Sequence, residues 1–138
     1  GASTYGFEAL QLTDLPIEAR EAVERLTFRG SDIAAGQKDI LLIARACTIV
    51  RWYVLAESAT SVQFDIWRST VAGYPPNVGN SIIGGGNKPQ LVAQAGRTEV
   101  PAGWTDVTLD AGDAVVVNID SAAGPLQYVT LGVQVTFP

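Results

Sequence analysis

The sequence predicts an all-β protein: an antiparallel two-sheet sandwich or barrel led by one short N-terminal helix. Two observations carry that prediction. From Ile33 onward apolar residues alternate with polar ones instead of recurring at helical spacing. Between the alternating stretches, Gly, Pro and Asp turn signals recur at short intervals, the pattern of packed antiparallel sheets. Length agrees, since 138 residues suit one domain and 47% hydrophobic content can fill its core.

The elements follow in chain order. Thr13 to Leu26 reads as a helix, with Thr13 or Asp14 as cap and Pro16 tolerated in the first turn. Leu15, Ala19, Ala22, Val23 and Leu26 form its apolar stripe, and Glu21 with Arg25 makes an i,i+4 pair on the other face. Residues 1–30 are therefore expected to be a connector or anchoring segment, and residues 31–138 the β domain. The Gly1-Ala2-Ser3 start, which lacks methionine, suggests processing or excision and is set aside. Asp39 to Ala46 is a mostly apolar run, as in a buried strand. Thr48 to Ala56 alternates Val50, Trp52 and Val54 against Ile49, Arg51 and Tyr53. Glu57 to Thr60 is expected to be a hairpin connection. Beyond it Val62, Phe64 and Ile66 point one way, and Gln63, Asp65 and Trp67 the other. Ser69 to Pro89 is a long irregular stretch with Pro75-Pro76 and Gly84-Gly85-Gly86, a length usual in functional or mobile loops. Asp110 to Asp113 forms a tight turn, and Asp113 to Ile119 a strand with Val115, Val117 and Ile119 on one face. Asp120 to Pro125 is a loop. The last strand turns Val129, Leu131, Val133, Val135 and Phe137 inward and Tyr128, Thr130, Gln134 and Thr136 outward.

Composition excludes much chemistry. The chain has no histidine and one cysteine. This removes Ser-His-Asp and Cys-His nucleophile systems, histidine-ligated metals and disulfide frameworks. Nine Lys and Arg against fourteen Asp and Glu give a net charge of −5, and the cations are scattered singly. No basic stripe suited to nucleic acid or anionic lipid is visible, and no apolar run reaches the length of a membrane span.

Candidate chemistry is sparse. Cys47 has no basic partner and reads as a small buried apolar residue. Asp106, Asp110 and Asp113 raise the question of calcium, but their spacing matches no calcium loop and Asp is favoured at such turns. Gly84-Gly85-Gly86-Asn87-Lys88 lacks the ending of a phosphate loop and reads as a flexible surface loop. The aromatics say more. Trp67 is expected outward, Tyr74 lies in the loop beyond it, and Trp104 follows Gly103 at a turn. Such residues stack on sugars, form interfaces, or merely cover a sheet edge and plug a core. The candidate binding residues are Trp67, Tyr74, Asn77, Asn80, Asn87 and Trp104. No catalytic residue, metal ligand or cofactor is expected.

Several motifs together carry a resemblance. They are Asp65-Ile66-Trp67-Arg68 and Tyr74-Pro75-Pro76 within Val62 to Pro76, Cys47-Thr48-Ile49, Trp52, Lys88-Pro89, Gly103-Trp104, Ala111-Gly112-Asp113 and Asn118-Ile119-Asp120-Ser121. From Ile33 to Phe137 the chain resembles a module of bacteriophage virion proteins, present in tail-fibre, receptor-binding and head-fibre proteins and in gene-transfer agents. It departs at Arg68, where Lys is commoner, at Asn77, where Thr is commoner, and at Gly84 to Gly86. The resemblance implies a β-sandwich of jelly-roll type, terminal on a fibre or spike, oligomeric and without catalysis. The expected role is a virion surface module that attaches the particle to a host receptor such as an envelope or capsular glycan. A trimer, or a pentamer on a capsid vertex, is the expected assembly, with other virion proteins held through the N-terminal segment. The competing expectation is a purely structural decoration or connector. A carbohydrate-active enzyme is the weakest reading, since nothing singles out two of the fourteen carboxylates.

Overall fold

The computed structural model describes residues 20–138. They form one antiparallel sheet of seven strands that curls into a half-barrel. The strands are β1 (Glu21–Arg29), β2 (Lys38–Leu42), β3 (Cys47–Ser69), β4 (Gln90–Glu99), β5 (Thr108–Leu109), β6 (Ala114–Ala122) and β7 (Tyr128–Thr136). A single 3-10 turn, Val78–Asn80, is the helical element among the described residues.

Strand β3 organises the rest. Its 23 residues would span about 75 Å if straight, far more than a domain of this size allows, so it must bend. Its first half pairs with β7 from Thr48 to Ala56, and its second half with β6 from Val62 to Ser69. Strand β4 lines the opposite edge of both halves. β1 adds outside β7, and β2 outside β6. The bend falls where β4 slips: Leu55 faces Gly96 but Thr60 faces Gln94, so five positions of β3 advance against two of β4. Such a bulge increases local twist and turns the strand. The expected hairpin at Glu57 to Thr60 is thus a correction, because the chain bends there without reversing. Glu-Ser-Ala-Thr supplies no Gly, Pro or Asn to set a two-residue reversal.

The curl brings the two halves of β3 onto one core. Ile49, Trp52 and Val54 from the first half, and Val62, Phe64 and Ile66 from the second, are buried with Val115, Val117 and Ile119 of β6 and Val129, Leu131, Val133 and Val135 of β7. Phe28 of β1 meets Phe64 across it, with ring centroids 5.8 Å apart. The alternation in β6 and β7 is as the sequence predicts. In β3 its phase changes at Val50: Ile49 pairs with Val135 but Arg51 with Gln134, and this slip sends both Ile49 and Trp52 inward.

Two further expectations are corrected. Glu21 to Leu26 is not helical but lies in β1, paired residue for residue with β7 from Glu21–Thr136 to Arg29–Tyr128. Ala22 and Leu26 satisfy helical and alternating periods alike, and β7 supplies a partner edge that settles the choice. The expected helix from Thr13 to Ala19, and the remainder of the connector before Arg20, lie outside the described residues. The run Asp39 to Ala46 yields a strand only to Leu42, and this strand forms an exposed edge of the sheet. The turn at Asp110 is as expected: Gly112 adopts φ +88°, and Asp113 N–H donates to Asp110 O at 3.1 Å.

Candidate functional site

The six sequence-predicted binding residues do not converge. Trp67 faces outward as expected but is only 8% exposed, a correction to its expected accessibility. It lies on the face of β3 opposite the core, level with Val116 and Ser81 on its two sides, with Lys38 Nζ 5.5 Å from its ring centre. The structure therefore gives Trp67 the edge-covering role. Asn77 and Asn80 bond each other's turn: Asn77 Oδ1 accepts from Gly79 N–H at 2.8 Å, and Asn77 N–H donates to Asn80 Oδ1 at 2.9 Å. Asn87 O accepts from Trp104 Nε1 at 2.6 Å, and Asn87 Nδ2 donates to Glu99. Trp104 packs against the core. Tyr74, Asn77 and Asn80 are exposed, Tyr74 beside the β2 edge.

Two charged clusters brace this half of the molecule. Asp65 is 2% exposed. Its Oδ1 accepts from Ser81 Oγ at 2.6 Å and from Ile66 N–H at 2.8 Å. Lys88 Nζ stands 2.6 Å from Asp120 Oδ2 and 3.6 Å from Asp65 Oδ2. Asn118 Nδ2 donates to Asp120 Oδ1 at 2.7 Å. The hydrogen bond to Asp120, helped by the charges of Asp65 and Asp120, holds the Lys88 ammonium above its ordinary range against the opposing pull of burial. A lysine so held is a fastener and a poor nucleophile. In the second cluster, Arg68 gathers the three carboxylates that raised the question of calcium. Its guanidinium lies 2.8 Å from Asp106, 2.9 Å from Asp110 and 2.7 Å from Asp113. It also donates to Thr108 O at 2.7 Å. The arginine itself fills the space between the carboxylates.

Cys47 is buried, and burial, with Glu24 and Asp113 adding to it, pushes its thiol up from the ordinary value. Since only the thiolate reacts, the native chain at pH 8 should resist a thiol reagent and label fully once denatured. Equal labelling rates in both states, read by mass, would contradict the burial.

One candidate surface for a ligand is the outer face of the β1–β7–β3 half. Register places its residues in rows: Val23, Gln134 and Arg51; then Arg25, Gly132, Tyr53 and Thr98; then Thr27, Thr130, Leu55 and Gly96. Gly132 and Gly96 carry no side chain, and a shallow trough of about 200 Å³ lies among Val23, Arg25, Tyr53, Leu55, Thr130 and Gly132. Tyr53 Oη donates to Gln134 Oε1 at 2.9 Å, which fixes its ring. Tyr128, with Arg29 5.7 Å from its ring centre, extends the face at one end. Sequence reasoning missed this face although half of it was legible, because β7 already turned Tyr128, Thr130 and Gln134 outward. The helix assigned to Glu21–Leu26 hid Arg25 and its neighbours. A second exposed patch, formed by Ile40, Leu42, Val71 and Tyr74 over buried Ala114, flanks the free edge of β2 and is almost wholly apolar.

No protein-family model matches the chain, and no curated protein matches it. Among solved structures it is similar to a chain described as "nora virus structure", with a TM-score of 0.40 and 9% identity. The similarity covers 84% of this chain and 55% of that one, so the chain spans about half its neighbour's length. Among the described residues no helix is long and apolar enough to cross a membrane.

Proposed function

We propose that the protein is a non-enzymatic surface module of a virion, of the phage-fibre or spike kind, which attaches the particle to a host-surface glycan. The curl of the sheet supports reading the fold as a sandwich of jelly-roll type. One observation favours attachment over a bare scaffold: the open β1–β7–β3 face. A sheet face facing solvent normally carries scattered short polar residues. This one holds a fixed tyrosine ring beside a shallow trough at Gly132, with amide, hydroxyl and guanidinium donors around it. Flat aromatic area with polar edges suits pyranose rings. The ligand in this reading meets the sheet; Asn87 and Trp104 brace the fold, while Tyr74, Asn77 and Asn80 stay exposed on the loop.

Weak single contacts suffice in this role, because several copies on one particle raise the effective affinity by orders of magnitude. The second reading, contact with other virion proteins or with copies of the chain, is favoured by the apolar patch at the β2 edge. An edge strand beside exposed Leu42 and Val71 is a ready pairing surface. Purified protein, multimerised on beads, should coat host cells, and enzymatic stripping of their surface polysaccharide should abolish the coating. Coating that survives stripping removes the glycan reading. Beads that bind particles and never cells leave the structural reading standing.

A further inference from the structure

We infer that the β1–β7–β3 face selects anionic saccharides, with Arg25 and Arg51 reading ring carboxylates; this rests on the attachment reading above and names its ligand class. The observation is a local reversal of charge. The chain as a whole carries −5, yet the two central rows of the face hold Arg25 and Arg51 and no acidic side chain. The acidic residues of the face lie at its ends. Glu21 stands in the row of Thr136 and Thr48. At the opposite end Glu57 Oε1 is already bonded to Gln127 N–H and Tyr128 N–H. Neither Arg25 nor Arg51 has a carboxylate partner among the described residues, whereas Arg68 and Arg97 do. Arg51 instead donates to Thr98 Oγ1 at 3.4 Å, which orients its guanidinium along the face.

Geometry separates the two charges usefully. Arg25 and Arg51 stand on strands two apart and one row apart, with β7 between them, so their Cα atoms are about 12 Å apart. Arg25 and Tyr53 line the trough, and Arg51 stands next to it, two residues before Tyr53 on the same face of β3. A saccharide chain crossing the sheet would lay one ring on Tyr53 and meet both guanidinium groups. Guanidinium groups bind carboxylates through paired, parallel hydrogen bonds, which makes charge a means of selection as well as of attraction. On a protein of net charge −5 the remaining surface repels polyanions, so such a face also favours one orientation of approach.

Calorimetry on the full chain tests this, with polygalacturonate oligomers as the carboxylated probe and dextran as the neutral one. Polygalacturonate should bind at least tenfold more tightly than dextran, and the preference should shrink as salt is raised. The R25Q/R51Q double variant should lose at least tenfold toward polygalacturonate. Lys38→Gln, on the outer face of the other half, should leave binding within twofold. Equal binding of dextran and polygalacturonate, unchanged in the double variant, would overturn the charge selection and leave glycan attachment intact. Binding of neither probe by protein that still coats cells through their polysaccharide would also overturn it. Loss of polysaccharide-dependent coating would instead remove the attachment reading on which it rests.

Discussion

Lys88→Met is expected to lower the stability of the fold by about 3 kcal/mol, seen as a lower urea midpoint with an unchanged slope. The size follows from what stays behind. Asp65, 2% exposed, and Asp120 both face Lys88 Nζ, and without the ammonium two carboxylates confront each other across one site. Breaking a buried pair by removing one partner costs more than the pair contributes, because the other charge remains desolvated. K88M combined with Asp65→Asn should recover more than half of the loss. An amide oxygen still accepts from Ser81 Oγ and Ile66 N–H, and no second anion remains to repel Asp120. The pH dependence has a definite sign. Lys88 is held above its ordinary 10.5 in the folded chain, so its contribution is complete below that value and is lost as pH rises through the folded value. The gap between wild type and K88M should therefore stay flat from neutral pH to about 10 and close above it. A variant that unfolds at the wild-type urea concentration would show that the cluster is solvated and contributes little.

That cluster also marks what the sequence could reveal. Residues 118 to 120 and Lys88-Pro89 were noticed as motifs, but nothing in their spacing announced that they would close around Asp65. The pairing depends on β6 lying beside the second half of β3, which places Asn118 opposite Asp65. Alternation was the reliable signal wherever a strand is regular, as in β7, where Val129, Leu131, Val133 and Val135 are all buried. It misled where the ladder slips. The bulge at Val50 inverted the phase of one half-strand, and the bulge beyond Leu55 turned an expected reversal into a bend. β4 escaped notice because Gln90 to Glu99 is short of apolar residues, with Leu91 its one buried side chain. The helix assigned across Glu21 to Leu26 failed for a different reason. Its local pattern fits two periods, and the deciding partner, β7, lies about a hundred residues away, as in the pair Leu26–Leu131. The proposed binding surface is hidden by the same error, since a face shared by β1, β3 and β7 exists only once β1 is a strand.

Gly86→Ala is expected to destabilise the protein by about 2–3 kcal/mol, while Gly85→Ala, one residue away, should change it by no more than about 0.5 kcal/mol. The run Gly84-Gly85-Gly86 reads in sequence as a flexible loop, but its members differ sharply in surroundings. A Cβ on Gly86 would stand 2.5 Å from Gly103 C and O and 2.7 Å from Trp104 N, all backbone atoms with little freedom to retreat. A Cβ on Gly85 would meet nothing within 4 Å. Around Gly86 two loops are clamped together: Asn87 N–H donates to Ala102 O at 2.9 Å, and Trp104 Nε1 donates to Asn87 O at 2.6 Å. Alanine at position 86 must pry these strands of chain apart and loosen Trp104 from the core it closes. Paired urea titrations decide the matter, and equal effects at the two glycines would refute the close approach. The same variant separates the two possible places for the ligand. Where G86A is still folded, it should bind polygalacturonate as wild type does, because Arg25, Tyr53 and Arg51 lie on sheet strands that Gly86 does not touch. Binding lost in the folded variant would return the site to the loops where Trp104 and Asn87 meet.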